Sequence, residues 1–441
     1  MNVNFAERAH NHNFKLDPIV RSLLDTDFYK LLMLQFIWKN FPAVHVTSEI
    51  RNRTTKVRLA ERISASALRD QMEHVRELHY RKSELVWLAG NTFYGTRQIF
   101  EPAFLDWLEN HHRLSEYEVH EQDGQLAIHF SGLWTEVTMW EVYSLAIVSE
   151  LKTRAALAEL NELELDVLYA RAKTRLWDKI ELLRKVPGLR LSDFGTRRRH
   201  SFLWQEYCVQ ALAAGLNSNP EDVRMRGTSN TALAYKHNLE AIGTNAHELP
   251  MVMAALASRG SDEELRHSQY RVLELWQRSY GGELLIMLPD TFGTTQFLDG
   301  APQFAARWTG ERVDSKDPFV AGDEYIGWLM KRGEDPRGKR LIASDGLDAD
   351  VIARLHEYFN RRIRFSAGWG TLLTNDFRGC HPRGENSFEP VSLVCKITSA
   401  DGVSAVKLSD NPGKAFGPVE LVERYRRVFG SPALEETPIL V

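Results

Sequence analysis

His247 stands in GTNAHE (243–248), directly after an apolar run. Imidazole is the side chain best suited to exchange protons, or to accept a phosphoryl group, near neutral pH. No H-E-x-x-H surrounds it, and Glu248 is its immediate neighbour, so a metalloprotease helix is excluded. Asp314, Asp345 and Asp348 also fall in or beside loops that follow apolar runs. A carboxylate there accepts hydrogen bonds from ribose hydroxyls or helps hold Mg²⁺; helix N-capping is its ordinary role. Asp317-Pro318 fits the capping pattern, with Pro at the first helical position. Arg197, Arg198 and Arg199 precede a helix expected to begin near Ser201. Three cations at a helix N-terminus oppose the dipole unless an anion lies between them. They read as an anion site or, more plainly, as a solvated charge run. In GWGT (368–371), Gly368 and Gly370 would let backbone N–H groups approach a phosphate, and Thr371 adds a hydroxyl. A plain turn is the alternative. No P-loop and no G-x-G-x-x-G is present.

The elements that must position these groups follow from periodicity. Residues 27–38 read as a helix, with Leu31, Leu34 and Trp38 at helical spacing and Asp27 as cap. Residues 44–50 and 125–130 alternate like strands, the latter after the turn Asp123-Gly124. Residues 21–150 therefore read as an α+β domain, preceded by a loose tail over 1–20. Residues 151–185 read as a helical connector, which Pro187-Gly188 ends. Beyond it, short apolar runs lead into loops rich in Asp, Gly and Thr about seven times. This rhythm predicts parallel strands closed into an α/β barrel over 186–378, with the site on the loops after the strands. Residues 391–397 and 403–408 flank Asp401-Gly402 as a hairpin, and 420–429 reads as a surface helix. The segment 379–441 is expected to pack on the N-terminal domain.

The 441-residue chain is 43% hydrophobic and 26% charged, which is ordinary globular composition and excludes disorder and collagen. With 59 acidic and 55 basic residues, net −4, it has no global charge surplus for nucleic acid or an anionic membrane. Any affinity for phosphate must come from a local cation cluster. Cys208, Cys380 and Cys395 form no C-x-x-C pair, so neither a disulfide framework nor a Cys-rich zinc site is expected, and a protein-only metal site is not expected. The first residues lack an apolar secretory core, and no apolar run reaches bilayer length. A cytoplasmic enzyme or binding protein is the expectation.

Eight segments in this order resemble nicotinate phosphoribosyltransferases: LLDTDFYK (23–30), DFGTRR (193–198), GTSN (227–230), GTNAHE (243–248), DSKDP (314–318), SDGLD (344–348), GWGT (368–371) and KLSDNPGK (407–414). The resemblance is nearest to the bacterial, ATP-coupled branch. It implies a distorted α/β barrel of the second phosphoribosyltransferase class, with an α+β domain built from both chain ends. It implies ATP-coupled transfer from 5-phosphoribosyl-1-diphosphate (PRPP) to nicotinate in NAD salvage, Mg²⁺ accompanying ATP and PRPP, and a homodimer with shared sites. Carried onto this chain, His247 matches the transiently phosphorylated histidine. Phe194 matches one wall of the pyridine site, and Tyr29 matches the other, supplied across the dimer interface. Thr244 and Arg312 match residues near nicotinate. Arg197, Arg198, Gly368, Gly370 and Thr371 match phosphate-handling positions, Asp314 the ribose-binding carboxylate, and Asp345 a Mg²⁺ or ribose contact. Lys316 stands where the family usually has glycine, and Ala367 where it usually has phenylalanine. A pyridine phosphoribosyltransferase preferring nicotinamide or quinolinate, and a non-catalytic barrel that binds a phosphorylated metabolite, are the alternative readings.

Overall fold

The computed structural model describes residues 14–92, 97–219 and 221–430. Two sheets organise the chain. Strands β1 (His45–Asn52), β2 (Tyr117–Gln122), β3 (Gln125–Leu133), β11 (Leu393–Ala400) and β12 (Val403–Ser404) form an antiparallel sheet in the order β12-β11-β1-β3-β2. The hairpin around Asp401-Gly402 thus joins the N-terminal strands through β11 on β1, with Ile50 opposite Cys395. Asp123 and Gly124, which turn β2 into β3, both take positive φ, as a tight hairpin requires.

Seven short strands make the second sheet: β4 (Leu191–Asp193), β5 (Met225–Thr228), β6 (Glu240–Ala241), β7 (Ile286–Met287), β8 (Gly310–Val313), β9 (Arg340–Ala343) and β10 (Arg364–Trp369). Every pairing is parallel, in the order β6-β5-β4-β10-β9-β8-β7. The sheet curls into a half-barrel and does not close, because β6 and β7 are its edges and do not pair among the described residues. Both edge strands are two residues long, and the chain between them forms two packed helices.

The helices used below are α1 (Phe28–Asn40), α2 (Trp140–Leu157), α3 (Glu162–Arg184), α4 (Phe202–Leu216), α5 (Glu248–Ala257), α6 (Asp262–Ser279), α7 (Pro318–Lys331), α8 (Ala349–Phe359) and α9 (Val419–Phe429). The spacing of Leu31, Leu34 and Trp38 predicts one apolar face on α1, yet residues 28–37 are buried all round. The run expected to be one connector is two helices. Asn161 caps α3 by accepting from Glu164 N, while the Glu164 side chain returns to Asn161 N, so the chain stops and restarts there. Of the segment read as a loose tail, residues 1–13 lie outside the described residues, whereas Phe14 is buried against Tyr169 and Trp204. The C-terminal helix α9 is less exposed than its reading as a surface helix suggests. Tyr425, Val428 and Phe429 pack with Phe292, Leu265 and Ala254 on the barrel side. No helix among the described residues is long and apolar enough to cross a membrane.

One fully buried arginine ties the parts together. Arg199 donates to both oxygens of Asp25 at 2.6 and 2.7 Å and to Glu150 at 2.7 Å. Asp25 precedes α1, Glu150 lies on α2, and Arg199 follows the loop after β4. Asn230 also donates to Asp25, at 2.8 Å. Removing one partner of such a pair leaves buried charge uncompensated. Arg199→Leu is expected to cost ~3–5 kcal/mol of stability, read from denaturant unfolding; a loss under about 1 kcal/mol, the range of exposed pairs, would show that the clamp is dispensable.

Candidate active site

The groups singled out from the sequence gather at the C-terminal ends of the parallel strands, the usual place for chemistry on such sheets. Phe194 follows β4. His247 precedes α5, Arg312 lies in β8, and Asp314 comes directly after it. Asp345 follows β9, and Gly370 and Thr371 follow β10. Together with Tyr29 of α1, Arg197 and Arg198 they line one cavity of about 200 Å³, closed on its far side by the antiparallel sheet.

The Phe194 loop is held from below. Asp193 is fully buried and accepts from Thr228 Oγ1, Gln205 Nε2 and Gly195 N, at 2.7–2.8 Å. Burial still pushes its carboxyl up to about 6. Phe194 N donates to Trp369 O, which ties this loop to β10.

At the centre, Asp314 Oδ2 lies 3.0 Å from His247 Nε2, and Thr291 Oγ1 lies 2.9 Å from Nδ1. Burial would raise the Asp314 carboxyl, but Arg312, His247 and Lys407 hold it well below the usual carboxylate range. An ionised carboxylate only accepts, so Nε2 carries the proton and Nδ1 accepts from the Thr291 hydroxyl. Burial is also the main influence on His247 and lowers its pKa, so the ring is neutral at neutral pH. Arg312 Nη1 donates to Asn245 O at 3.0 Å and Thr244 Oγ1 at 3.3 Å. Its Nε is buried with no hydrogen-bond partner among the described residues.

Several residues differ from their expected places. Tyr29 reaches the cavity from its own chain: Phe28 N donates to Ser229 O, Lys30 pairs with Glu248 and Glu141, and the Tyr29 hydroxyl donates to Glu141 at 3.1 Å. Thr244 lines the neighbouring cavity inside the half-barrel and reaches the site through Arg312. Gly368 is not in a loop. It pairs with Ser192 inside the sheet, and a Cβ there would lie 2.3 Å from the Phe194 ring, so its missing side chain makes room for that ring. The three arginines do not act together. Arg197 and Arg198 line the cavity, whereas Arg199 is turned into the core, and Ser201 already caps α4 by accepting from Trp204 N. Ala367 is a buried strand residue that lines the neighbouring cavity inside the half-barrel and not this one. His247, Asp290 and Asp314 bring one potential ligand atom each within 4.8 Å of one another.

Among the lining residues not anticipated as site residues are Arg53, Glu141, Lys396, Lys407 and Lys414. Lys407 and Lys414 bracket KLSDNPGK, whose spacing alone suggests no role. Arg53 and Lys396 lie on or beside strands, where a lone cation carries no signal. Their crowding has an electrostatic cost. Burial, reinforced by Arg53, Lys407, Arg51 and Lys414, pushes Lys396 down to about 6. Burial and Arg197 push Arg198 down to about 10. Burial lowers Lys407 as well, against the pull of Asp290 and Asp314. Such a group is relieved by a polyanion.

A family model described as the nicotinate phosphoribosyltransferase (NAPRTase) family matches residues 189–433, and one for its N-terminal domain matches residues 24–149. A crystal structure of nicotinate phosphoribosyltransferase from Vibrio cholerae aligns with TM-score 0.84 and 31% identity, covering 96% of each chain. A putative nicotinate phosphoribosyltransferase from Saccharomyces cerevisiae aligns at 0.82 and 27%, covering 94% of this chain and 99% of that one. The enzyme from Porphyromonas gingivalis aligns at 0.80 and 28%, covering 93% and 100%. The half-barrel with its clasping antiparallel sheet, the motifs at its strand ends and these matches agree: the chain belongs to the nicotinate phosphoribosyltransferase family.

Proposed function

We propose that this chain transfers the 5-phosphoribosyl group of PRPP to nicotinate, forming nicotinate mononucleotide and diphosphate in cytoplasmic NAD salvage. ATP hydrolysis is coupled to the transfer through a transient phosphate on His247. The observation that carries the substrate assignment is Arg312, a buried guanidinium whose Nε lacks an acceptor beside the Phe194 and Tyr29 rings. A planar cation with a free donor suits a carboxylate and so favours the acid over the amide. The two aromatic residues orient the pyridine nitrogen toward ribose C1, an entropic gain.

Cleavage of the C1–O bond builds positive character on the ribose while diphosphate departs with its electron pair. Asp314 faces the ribose, and Arg197, Arg198, Arg53, Lys396 and Lys414 surround the region open to phosphates. Mg²⁺ fits beside them. Asp290 Oδ1 is buried without a partner among the described residues, Asp314 offers a second hard oxygen, and the ion would neutralise phosphate charge. In the ATP half-reaction, the Thr291 hydroxyl turns away from Nδ1 of neutral His247, Nδ1 attacks the γ-phosphorus, the bond to ADP breaks, and Asp314 stabilises the resulting cationic ring through Nε2–H. A phosphate on His247 changes the charge facing the cation cluster, which tightens substrate binding and, once water removes it, releases product.

Initial rates with nicotinate, nicotinamide and quinolinate, each with and without ATP, test this reading. Nicotinate is expected to lead and ATP to lower its KM; a tenfold preference for nicotinamide would overturn the substrate assignment. Arg312→Lys is expected to lower kcat/KM for nicotinate by roughly tenfold or more, about 1.4 kcal/mol, and to narrow the gap to nicotinamide. Gly368→Ala drives a methyl group into the Phe194 ring and should raise the nicotinate KM by on the order of tenfold, with PRPP affected less. Because burial holds the His247 pKa below 6.5, ATP stimulation should persist at neutral pH and fade only as pH drops beneath that value. An acid limb centred above it would contradict the assigned tautomer and charge.

A further inference from the structure

Behind the loop that carries Asp314 lies a buried acidic pocket that the proposed reaction does not use. Glu311, on β8, is fully buried, and neither carboxylate oxygen meets a hydrogen-bond partner among the described residues. Burial, followed by Glu324, Asp410 and Asp290, pushes its carboxyl well above the usual range, and Lys316 opposes them. Asp410 is itself tied down, accepting from Thr294 N at 2.9 Å and Thr294 Oγ1 at 2.5 Å. The Lys316 side chain is only 8% exposed, and its ammonium donates to Glu324 on α7 at 2.5 Å and to Thr295 Oγ1 at 3.1 Å.

Four consecutive residues of this loop thus have four separate anchors. Asp314 meets His247, and Ser315 Oγ donates to Asp290 at 2.5 Å. Lys316 enters the acidic pocket, and Asp317 caps α7 by accepting from Phe319 N and Val320 N at 3.0 Å. Asp290 lies 3.7 Å from His247 Nε2, so the Ser315 bond reaches the same ring. The two outer anchors fix the chain on either side of the site, and Lys316 is the charged one that draws the loop back toward α7.

We propose that Lys316 is a positioning residue for the phosphoribosyl donor, its ammonium serving as the fixed counter-ion of Glu324 beside the buried Glu311 and Asp410 and thereby setting where the Asp314–Ser315 backbone holds its oxygens. The proposal rests on the reading of Asp314 as the ribose-facing carboxylate. Removing the ammonium leaves Glu324 without its cation and the loop without its inner tie. The effect falls on the donor, whose ribose meets Asp314, before it falls on nicotinate, which meets Arg312.

The test combines steady-state kinetics with calorimetric binding of Mg²⁺–PRPP to the full chain, for Lys316→Met, Lys316→Arg, Glu324→Gln and the double variant Lys316→Met/Glu324→Gln. Expected are a rise of roughly tenfold in PRPP KM and Kd for Lys316→Met, a nicotinate KM within about twofold, and near-native values for Lys316→Arg. Glu324→Gln should weaken PRPP binding in the same direction, and the double variant should be no worse than Lys316→Met, because both changes break one tie. A Lys316→Met enzyme with native PRPP binding, or additive effects in the double variant, would overturn the proposal. If Lys316→Met does not fold, Glu324→Gln alone decides, since native PRPP binding in that variant contradicts the tie. Native chain that binds PRPP but transfers to none of the pyridines would refute the proposed function while the binding data still judge Lys316. Native chain that does not bind PRPP would refute both.

Discussion

The site exists because a buried charge joins three stretches of chain that are distant in sequence. Arg199 cannot be hydrated where it lies, so its donors must be met by Asp25 and Glu150. That requirement pins the segment before α1 to the loop after β4, and so brings Tyr29 and Phe194 to one cavity. The clamp has a desolvation cost, visible in Glu150, whose carboxyl burial pushes up to about 7 despite the nearby guanidinium. Its worth is geometric as much as energetic. The same segment carries Lys30, which is fully buried between Glu141 and Glu248, and Glu141 in turn meets Tyr29 and Arg197. A chain of ion pairs therefore runs from the core to the cavity wall.

On that frame the chemistry is divided by sheet. The parallel half-barrel supplies the directional groups, namely His247 with its proton fixed on Nε2, Asp314 held ionised, and Arg312 with an open donor. The antiparallel sheet and the C-terminal segment supply positive charge through Arg53 and Lys414, and add Lys396 and Lys407, whose pKa values burial lowers and which a bound polyanion would help to charge. A net charge of −4 gives no hint of this, because seven Arg and Lys side chains line one cavity against four carboxylates, while the chain as a whole has an acidic surplus.

Much of the fold was legible because it rests on local signals. The Asp401-Gly402 turn, the Asp317-Pro318 cap and the seven strand-then-loop units all appear where their residue types place them. Two-residue edge strands carry too little pattern to show whether a sheet closes, so the open half-barrel was not readable. The break between α2 and α3 was readable in principle from the Asn161-x-x-Glu164 capping box, but the leucine periodicity on either side masks it. At the site, most of the residues on strand-end loops that type and position single out gather in one cavity. Those whose role depends on a long-range neighbour were misplaced. Arg199 and Arg197 look alike in sequence, and only the distant Asp25 and Glu150 separate a core ion pair from a cavity wall. Gly368 reads as a phosphate-loop glycine until the Phe194 ring is seen to occupy its missing Cβ. Tyr29 gives no sign in sequence of which chain's cavity it lines.

The proposed ATP coupling turns on whether neutral, Asp314-oriented His247 accepts a phosphoryl group. The most direct measurement is incubation of the full chain with γ-labelled ATP and Mg²⁺, followed by mapping of acid-labile phosphate on peptides. Label on the peptide containing His247, lost in His247→Asn together with ATP stimulation of transfer, is the predicted result. ATP-stimulated transfer that proceeds with label absent, or carried by another residue, would contradict it.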